Sequence, residues 1–427
     1  MKTTIKELKT FLILWSTQSL SQLGSAMTNF ALTLWLYQKT GSALRTALLT
    51  VCSYAPYVLM SIFAGALSDR WDKKKTMLVC DTLAACCSAA VFVLLKTGYL
   101  MPVHLYLLNA VNGLMNTVQQ PAGDVAMTLI TPKEYYQKTS GMRSLSNSLI
   151  TILNPVFATA LFAFAGLEAV IYTDLLSFAM AFCALLFLVE IPDVSGEASD
   201  REPFREAVKA GLAYLRENPL ILWLILFLAG VNLVASAFDA TLPAFVLPRE
   251  NGGEKVLGVV TSCAGIAMLI GSLITTLLPA PKNRIRVIYV TMLISLGTEN
   301  FVLAFSRTPV IWCAAQVIGW ILVPVMNANL DVILRTTIPV EMQGRVYSCR
   351  NTLQFFTIPV GFFFGGYLVD ELCEPAMAGA PAGGILRLWF GSGKGSGAAM
   401  MMFILGVMGV AICLYFGRVL RKYTFRD

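Results

Sequence analysis

Charged side chains are scarce in this sequence: Lys, Arg, Asp and Glu supply 13% of its 427 residues, against 56% apolar. A water-soluble globule of this length carries far more surface charge, so a fully solvated fold is excluded. Regular alternation of apolar and polar residues is also missing. Alternating segments of about 10 residues would mark a transmembrane β-barrel, whereas this chain has long, predominantly apolar runs such as 11–35 and 220–237. Histidine occurs once, at His104 shortly after Pro102. One imidazole without a neighbouring Cys or carboxylate makes no metal site. With no nucleophile, metal cluster or His-rich site visible, no enzymatic activity, catalytic residue, metal or cofactor is expected. A Gly-x-x-x-x-Gly-Lys phosphate loop is absent, which excludes ATP drive from within this chain. Of ten cysteines, nine lie in or beside apolar runs, and Cys373 is expected alone in an external loop, so no disulfide framework follows.

What remains is hydrophobic length. A helix of roughly 20 apolar residues spans the hydrocarbon core. Twelve such stretches are expected near 11–37, 44–67, 76–96, 103–130, 139–164, 168–189, 219–246, 256–279, 286–305, 309–335, 344–370 and 398–418. The basic start Met1 to Lys9 leads into the first of these as a retained membrane helix rather than a signal peptide. An even number of spans puts both termini on one side. Lys and Arg crowd the segments on that side (2–9, 70–75, 133–143, 201–216, 282–286, 335–350 and 418–426), so both termini are expected in the cytoplasm. The net charge of +7 is then explained by loops beside anionic lipid and calls for no nucleic acid.

The polar stretch after the sixth span divides the chain into 1–190, a linker 191–218 and 219–427. Within the linker, Phe204, Val208, Leu212 and Leu215 recur at helical spacing, which predicts an amphipathic helix on the inner membrane face. A shift of 207 residues lays Asp124 on Asp331, Pro132 on Pro339, Glu134 on Glu341, Lys138 on Arg345 and Arg143 on Arg350. The same shift brings Ser25 onto Asn232 and Asn29 onto Ser236. Parallel duplication of a six-helix unit follows, giving an all-α membrane protein of two pseudo-symmetric bundles with a substrate path between them.

Polar stripes mark four of the expected spans. The first carries Gln18, Gln22, Ser25 and Asn29; the fourth Asn112, Asn116 and Gln119; the seventh Asn232, Ser236 and Asp239; the tenth Asn327 and Asn329. Lipid penalises such groups, so they face protein or a wet cavity. For each one, hydrogen bonding between helices is the plain alternative. Together, Gln22, Ser25, Asn29, Asn112, Asn116, Gln119, Asn232, Ser236 and Asn327 are read as a substrate-binding set, with Phe30, Trp35, Trp223 and Phe238 as apolar walls. Among the carboxylates of the outer half-membrane, Asp239 and then Glu299 are the candidates for carrying a proton; the alternative is that helix tilt puts Asp174 and Asp239 at the outer headgroups, which is the expectation for Asp174.

The turn after the second span reads Gly65-Ala-Leu67-Ser-Asp69-Arg70-Trp-Asp72-Lys73-Lys74-Lys75. It resembles the signature loop of the major facilitator superfamily, Gly-x-Leu-Ala-Asp-Arg-x-Gly-Arg-Lys, with Asp72 where that family has glycine. The resemblance implies the major facilitator fold of twelve helices and transport of a small molecule by alternating access. It also implies a gating network of Gly65, Asp69, Arg70 and Lys73 with an acidic residue of the fourth helix, here Asp124. Asp124 with Arg143, and Asp331 with Arg350, are its expected charged members, the alternative being two fixed structural ion pairs. The passages Gln18 to Ala43 and Ile338 to Val346 look like the bacterial macrolide-efflux and enterobactin-exporter branch. Asn154-Pro155 stands where related drug exporters carry Gly-Pro. The branch implies proton-driven export of a hydrophobic or amphiphilic compound from a bacterial plasma membrane, by a monomer. A lysophospholipid, siderophore or nutrient transporter of the same fold remains open beside it, as does a non-transporting membrane sensor.

Overall fold

The computed structural model describes residues 8–192, 204–279 and 281–423. Among them every regular element is helical, which is the way an open chain satisfies its backbone in hydrocarbon. The first four helices are α1 (Lys9–Thr40), α2 (Ala43–Arg70), α3 (Lys73–Lys96) and α4 (Pro102–Leu129). His104 belongs to the start of α4, where its Nδ1 accepts from the Met101 amide at 3.2 Å. Helix α5 (Tyr136–Phe187) continues for 52 residues, but Gly166 interrupts it at φ 75°. That angle suits a residue without Cβ, and it breaks α5 into two helical segments between the ranges 139–164 and 168–189 expected as separate helices.

The second half holds α6 (Phe204–Glu217), α7 (Pro219–Val246), α8 (Glu254–Leu277), α9 (Arg284–Phe305), α10 (Pro309–Ile321) and α11 (Val323–Thr337). After these come α12 (Val340–Phe355), α13 (Thr357–Leu368), a π-helical turn Val369–Cys373, α14 (Glu374–Ala378), α15 (Ile385–Phe390) and α16 (Ser396–Leu420). Two spans expected as single helices are therefore broken, at Leu322 and at Phe356. Pro324 and Pro359 follow the breaks by a few residues, and a proline ring clashes with the carbonyl four residues before it. Cys373 is buried in the π turn, not placed in an external loop.

Nine helices among the described residues are long and apolar enough to cross a membrane, with Gly141–Phe187 counted once. Helices α1 and α4 fall outside that set although they run 32 and 28 residues. Both carry the amide stripes, which lower their mean hydropathy.

The chain divides into two compact units, Met1–Trp35 with Cys52–Glu202, and Leu36–Val51 with Pro203–Asp427. The first unit has a core of Leu14, Met77, Ala122, Ala126, Leu185 and Val189. Lys74 closes that end by donating to the carbonyls of Leu186 at 3.1 Å and Val189 at 2.7 Å. In the second unit α7 is enclosed on most sides, with Phe227 and Phe245 fully buried. The linker helix α6 is docked rather than simply laid on a membrane face. Leu215 is buried, the Tyr214 hydroxyl donates to the Thr337 carbonyl at 2.9 Å, and Gly211 abuts the backbone of Arg345. Leu212 stays exposed, and the side chains of Phe204 and Val208 lie outside the described residues.

Candidate functional site

In the first unit the polar stripes converge on two buried carboxylates. Asp81 of α3 accepts from the Gln18 amide nitrogen at 3.1 Å and from that of Gln119. Asp174, 3% exposed, accepts from the hydroxyls of Ser25 and Ser88, each at 2.9 Å. The expectation that Asp174 sits at the headgroups is corrected: helix packing carries it inside, and two hydroxyls replace the water it loses. Asp81 was not anticipated, because one acid in an otherwise apolar span shows no partner until the helices are assembled. Gln22, Asn29 and Asn116 keep exposed side chains, and Asn112 is half-buried with a side-chain oxygen that has no partner among the described residues.

Arg143 of α5 pairs with Asp124 of α4, both side chains about half exposed. In the turn before α3, Asp72 stands where the family's glycine would be, and its side chain accepts from the Lys75 amide at 2.9 Å as the N-cap of α3. Lys73 is buried and its ammonium donates to the Trp71 carbonyl at 3.0 Å. The side chains of Asp69 and Arg70, and the surroundings of Gly65, lie outside what the structure describes.

The second unit repeats the theme with different partners. Asn232 donates to the Gln354 carbonyl at 3.2 Å, and Ser236 is buried beneath Gly361 with its hydroxyl on the Asn232 carbonyl. Phe238 is buried and Trp223 packs edge-on against Phe416 at 6.0 Å, so packing claims both of these expected walls. Asn327 is exposed. Arg350 donates to the Gln354 side-chain oxygen at 3.0 Å, with Asp331 in electrostatic range.

One turn beyond Ser236, Asp239 is exposed while Phe238 and Ala240 beside it are buried. Glu299 of α9 lies within electrostatic range of Asp239 and is only 5% exposed. Its carboxylate rests against Gly319 of α10, and Oε1 has no hydrogen-bond partner among the described residues. Trp320, next to Gly319 on α10, brings its indole N–H to the Glu299 carboxylate, while the buried Gln316 Nε2 one turn earlier has no partner among the described residues. Ser295, one turn before Glu299, donates to the Gly319 carbonyl. An acid and an indole thus meet at a desolvated point between α9 and α10, with no ion pair to a base among the described residues.

Beyond α7, Arg249 ties down the loops on the face away from the termini. It donates to the carbonyls of Ser306 at 3.1 Å, Phe390 at 3.3 Å and Gly395 at 3.2 Å. Its guanidinium lies 4.2 Å from the Phe245 ring centroid. Burial, with Arg307 nearby, pulls its pKa down to about 10 against an opposing pull from Glu374, and it remains charged at neutral pH.

The sequence model of the Major Facilitator Superfamily matches residues 14–361. Macrolide efflux protein A of Streptococcus pyogenes is 25% identical over 369 residues, covering 85% of this chain and 90% of that protein. Multidrug efflux pump Tap of Mycolicibacterium fortuitum is 25% identical over 361 residues, covering 81% and 86%. Among solved structures, a bacterial homologue of the iron transporter ferroportin, in an inward-facing state, superposes with a TM-score of 0.71 at 16% identity, covering 98% of this chain and 99% of that one. The nucleoside transporter NupG gives 0.70 at 13% identity, covering 97% and 99%.

Proposed function

This chain belongs to the Major Facilitator Superfamily, and from that premise we propose that it exports a hydrophobic or amphiphilic small molecule in exchange for protons. As a multi-pass transporter it works on a small-molecule substrate within a bilayer, and no covalent chemistry is required of it. The Glu299 pocket supports the coupling. Burying an unpaired carboxylate costs several kcal/mol, and taking up a proton removes that cost. A carboxyl with no basic partner among the described residues, near an exposed Asp239, therefore has the arrangement a proton carrier needs. The export direction and the macrolide-like substrate class draw on what the efflux relatives are named for. In this reading both termini face the cytoplasm of a bacterial plasma membrane, the protein acts as a monomer, and the exposed amides of Gln22, Asn29 and Asn116 in the first unit offer hydrogen bonds to the cargo.

Proteoliposomes holding a pH-sensitive dye test the coupling. Adding erythromycin should drive proton movement that is lost on Glu299→Gln and weakened on Asp239→Asn. Unchanged proton movement in the double variant would overturn the assignment. Lysophospholipid uptake without an erythromycin response would favour a lipid transporter instead.

A further inference from the structure

The turn between α1 and α2 is held in an unusual way. Asp370, in the π turn after α13, receives the amino end of α2, where Ala43 is buried. Its Oδ1 accepts from Ala43 N at 3.0 Å, and its Oδ2 accepts from Leu44 N at 2.9 Å and from Ser42 Oγ at 2.5 Å. A carboxylate on the amino end of a helix meets both unsatisfied amides and the positive end of the helix dipole. The approach depends on Gly366, where a Cβ would come within 2.6 Å of Leu44 Cα. The π turn also shifts the register after Gly366, one of the uses to which such turns are put at working sites. A second contact lies alongside, where the Gln38 amide donates to Glu254 at the start of α8.

The duplication makes α1 and α2 part of the first half, yet Leu36–Val51 belongs to the compact unit built by the second half. The tip of the α1–α2 hairpin is therefore held by elements that are not its own repeat. We propose that Asp370 is a releasable latch: it fastens the amino end of α2 on the face away from the termini and lets go in each transport cycle when that face opens. Such a bond suits the task. Its three donors sit on an amide end that water can solvate after release, so opening strands no buried charge.

The inference rests on the transporter reading, and the experiment separates the two. In the full chain with its ten native cysteines replaced, Thr46, buried beneath the latch, is changed to cysteine and reacted with a maleimide in lipid–detergent micelles. Asp370→Asn should raise the labelling rate about tenfold without lowering the melting temperature, as expected for loss of a charge-assisted cap. Ser42→Cys with Asp370→Cys, oxidised to a disulfide in a background with Thr46 intact, should stop erythromycin transport in proteoliposomes, and reduction should restore it. Labelling unchanged by Asp370→Asn, or transport by the disulfide form at the reduced rate, overturns the latch. A labelling response in a protein that never moves erythromycin sustains the latch and sinks the substrate assignment.

Discussion

The carboxylate of Glu299 lies on the bare α-carbon of Gly319: a Cβ there would overlap Oε2 and Cδ and come within 2.8 Å of Oε1. Gly319 thus gives the acid its room. Replacing it with alanine must push the carboxyl aside or part α9 from α10, an overpacking that costs about 1–3 kcal/mol. Gly319→Ala should lower the melting temperature measurably. It should also reduce proton movement more than it reduces erythromycin binding. Binding and coupling falling together would mean that the pocket serves packing alone.

Asp81 holds two amides, and the consequences of removing it depend on shape. Asp81→Leu strands the Gln18 and Gln119 donors in a buried site, a loss of about 2 kcal/mol or more. Asp81→Asn keeps an acceptor of the same outline and should cost less than about half of that. Thermal unfolding in detergent compares them directly. Equal losses would show that the two amides find other partners.

Much of this architecture is readable from periodicity and spacing, and the places where it is not share a cause. The Gly166 boundary, the polar stripes and the pairing of Asp124 with Arg143 are local or repeat-borne, so one strand of text carries them. The partners of Asp174, Asp81 and Asp370 lie 149, 63 and 328 residues away, and no local pattern foretells which helix will arrive. The breaks at Leu322 and Phe356 were signalled by Pro324 and Pro359, but in spans apolar enough to be read as unbroken. Ser236 shows the converse limit: a polar residue on the right stripe is spent on its own helix and covered by α13.

Arg249 spans three carbonyls with the fork of its guanidinium while lying on the Phe245 ring. Lysine keeps the charge and loses the planar fork and the stacking. Arg249→Lys should therefore destabilise the second unit by about 1–3 kcal/mol and increase amide exchange across 385–395. Because the arginine is charged below about 10, the difference should be the same throughout the neutral range. A difference that grows between mildly acidic and mildly basic conditions would point to another titrating group.

The Asp124–Arg143 pair separates structure from gating most directly. Both side chains are about half exposed, and pairs so placed contribute about 0–1 kcal/mol to stability. Asp124→Asn should accordingly leave the melting temperature nearly unchanged. If the pair opens and closes during the cycle, the same change should slow erythromycin export about tenfold while leaving equilibrium binding intact, since a coupling of about 1.4 kcal/mol is enough for that factor. Exchanging the charges, Asp124→Arg with Arg143→Asp, then distinguishes two forms of gating. Recovery of export would mean that the pair acts alone. Continued loss would mean that Asp124 also answers to the basic start of α3, whose first residue, Lys73, is buried.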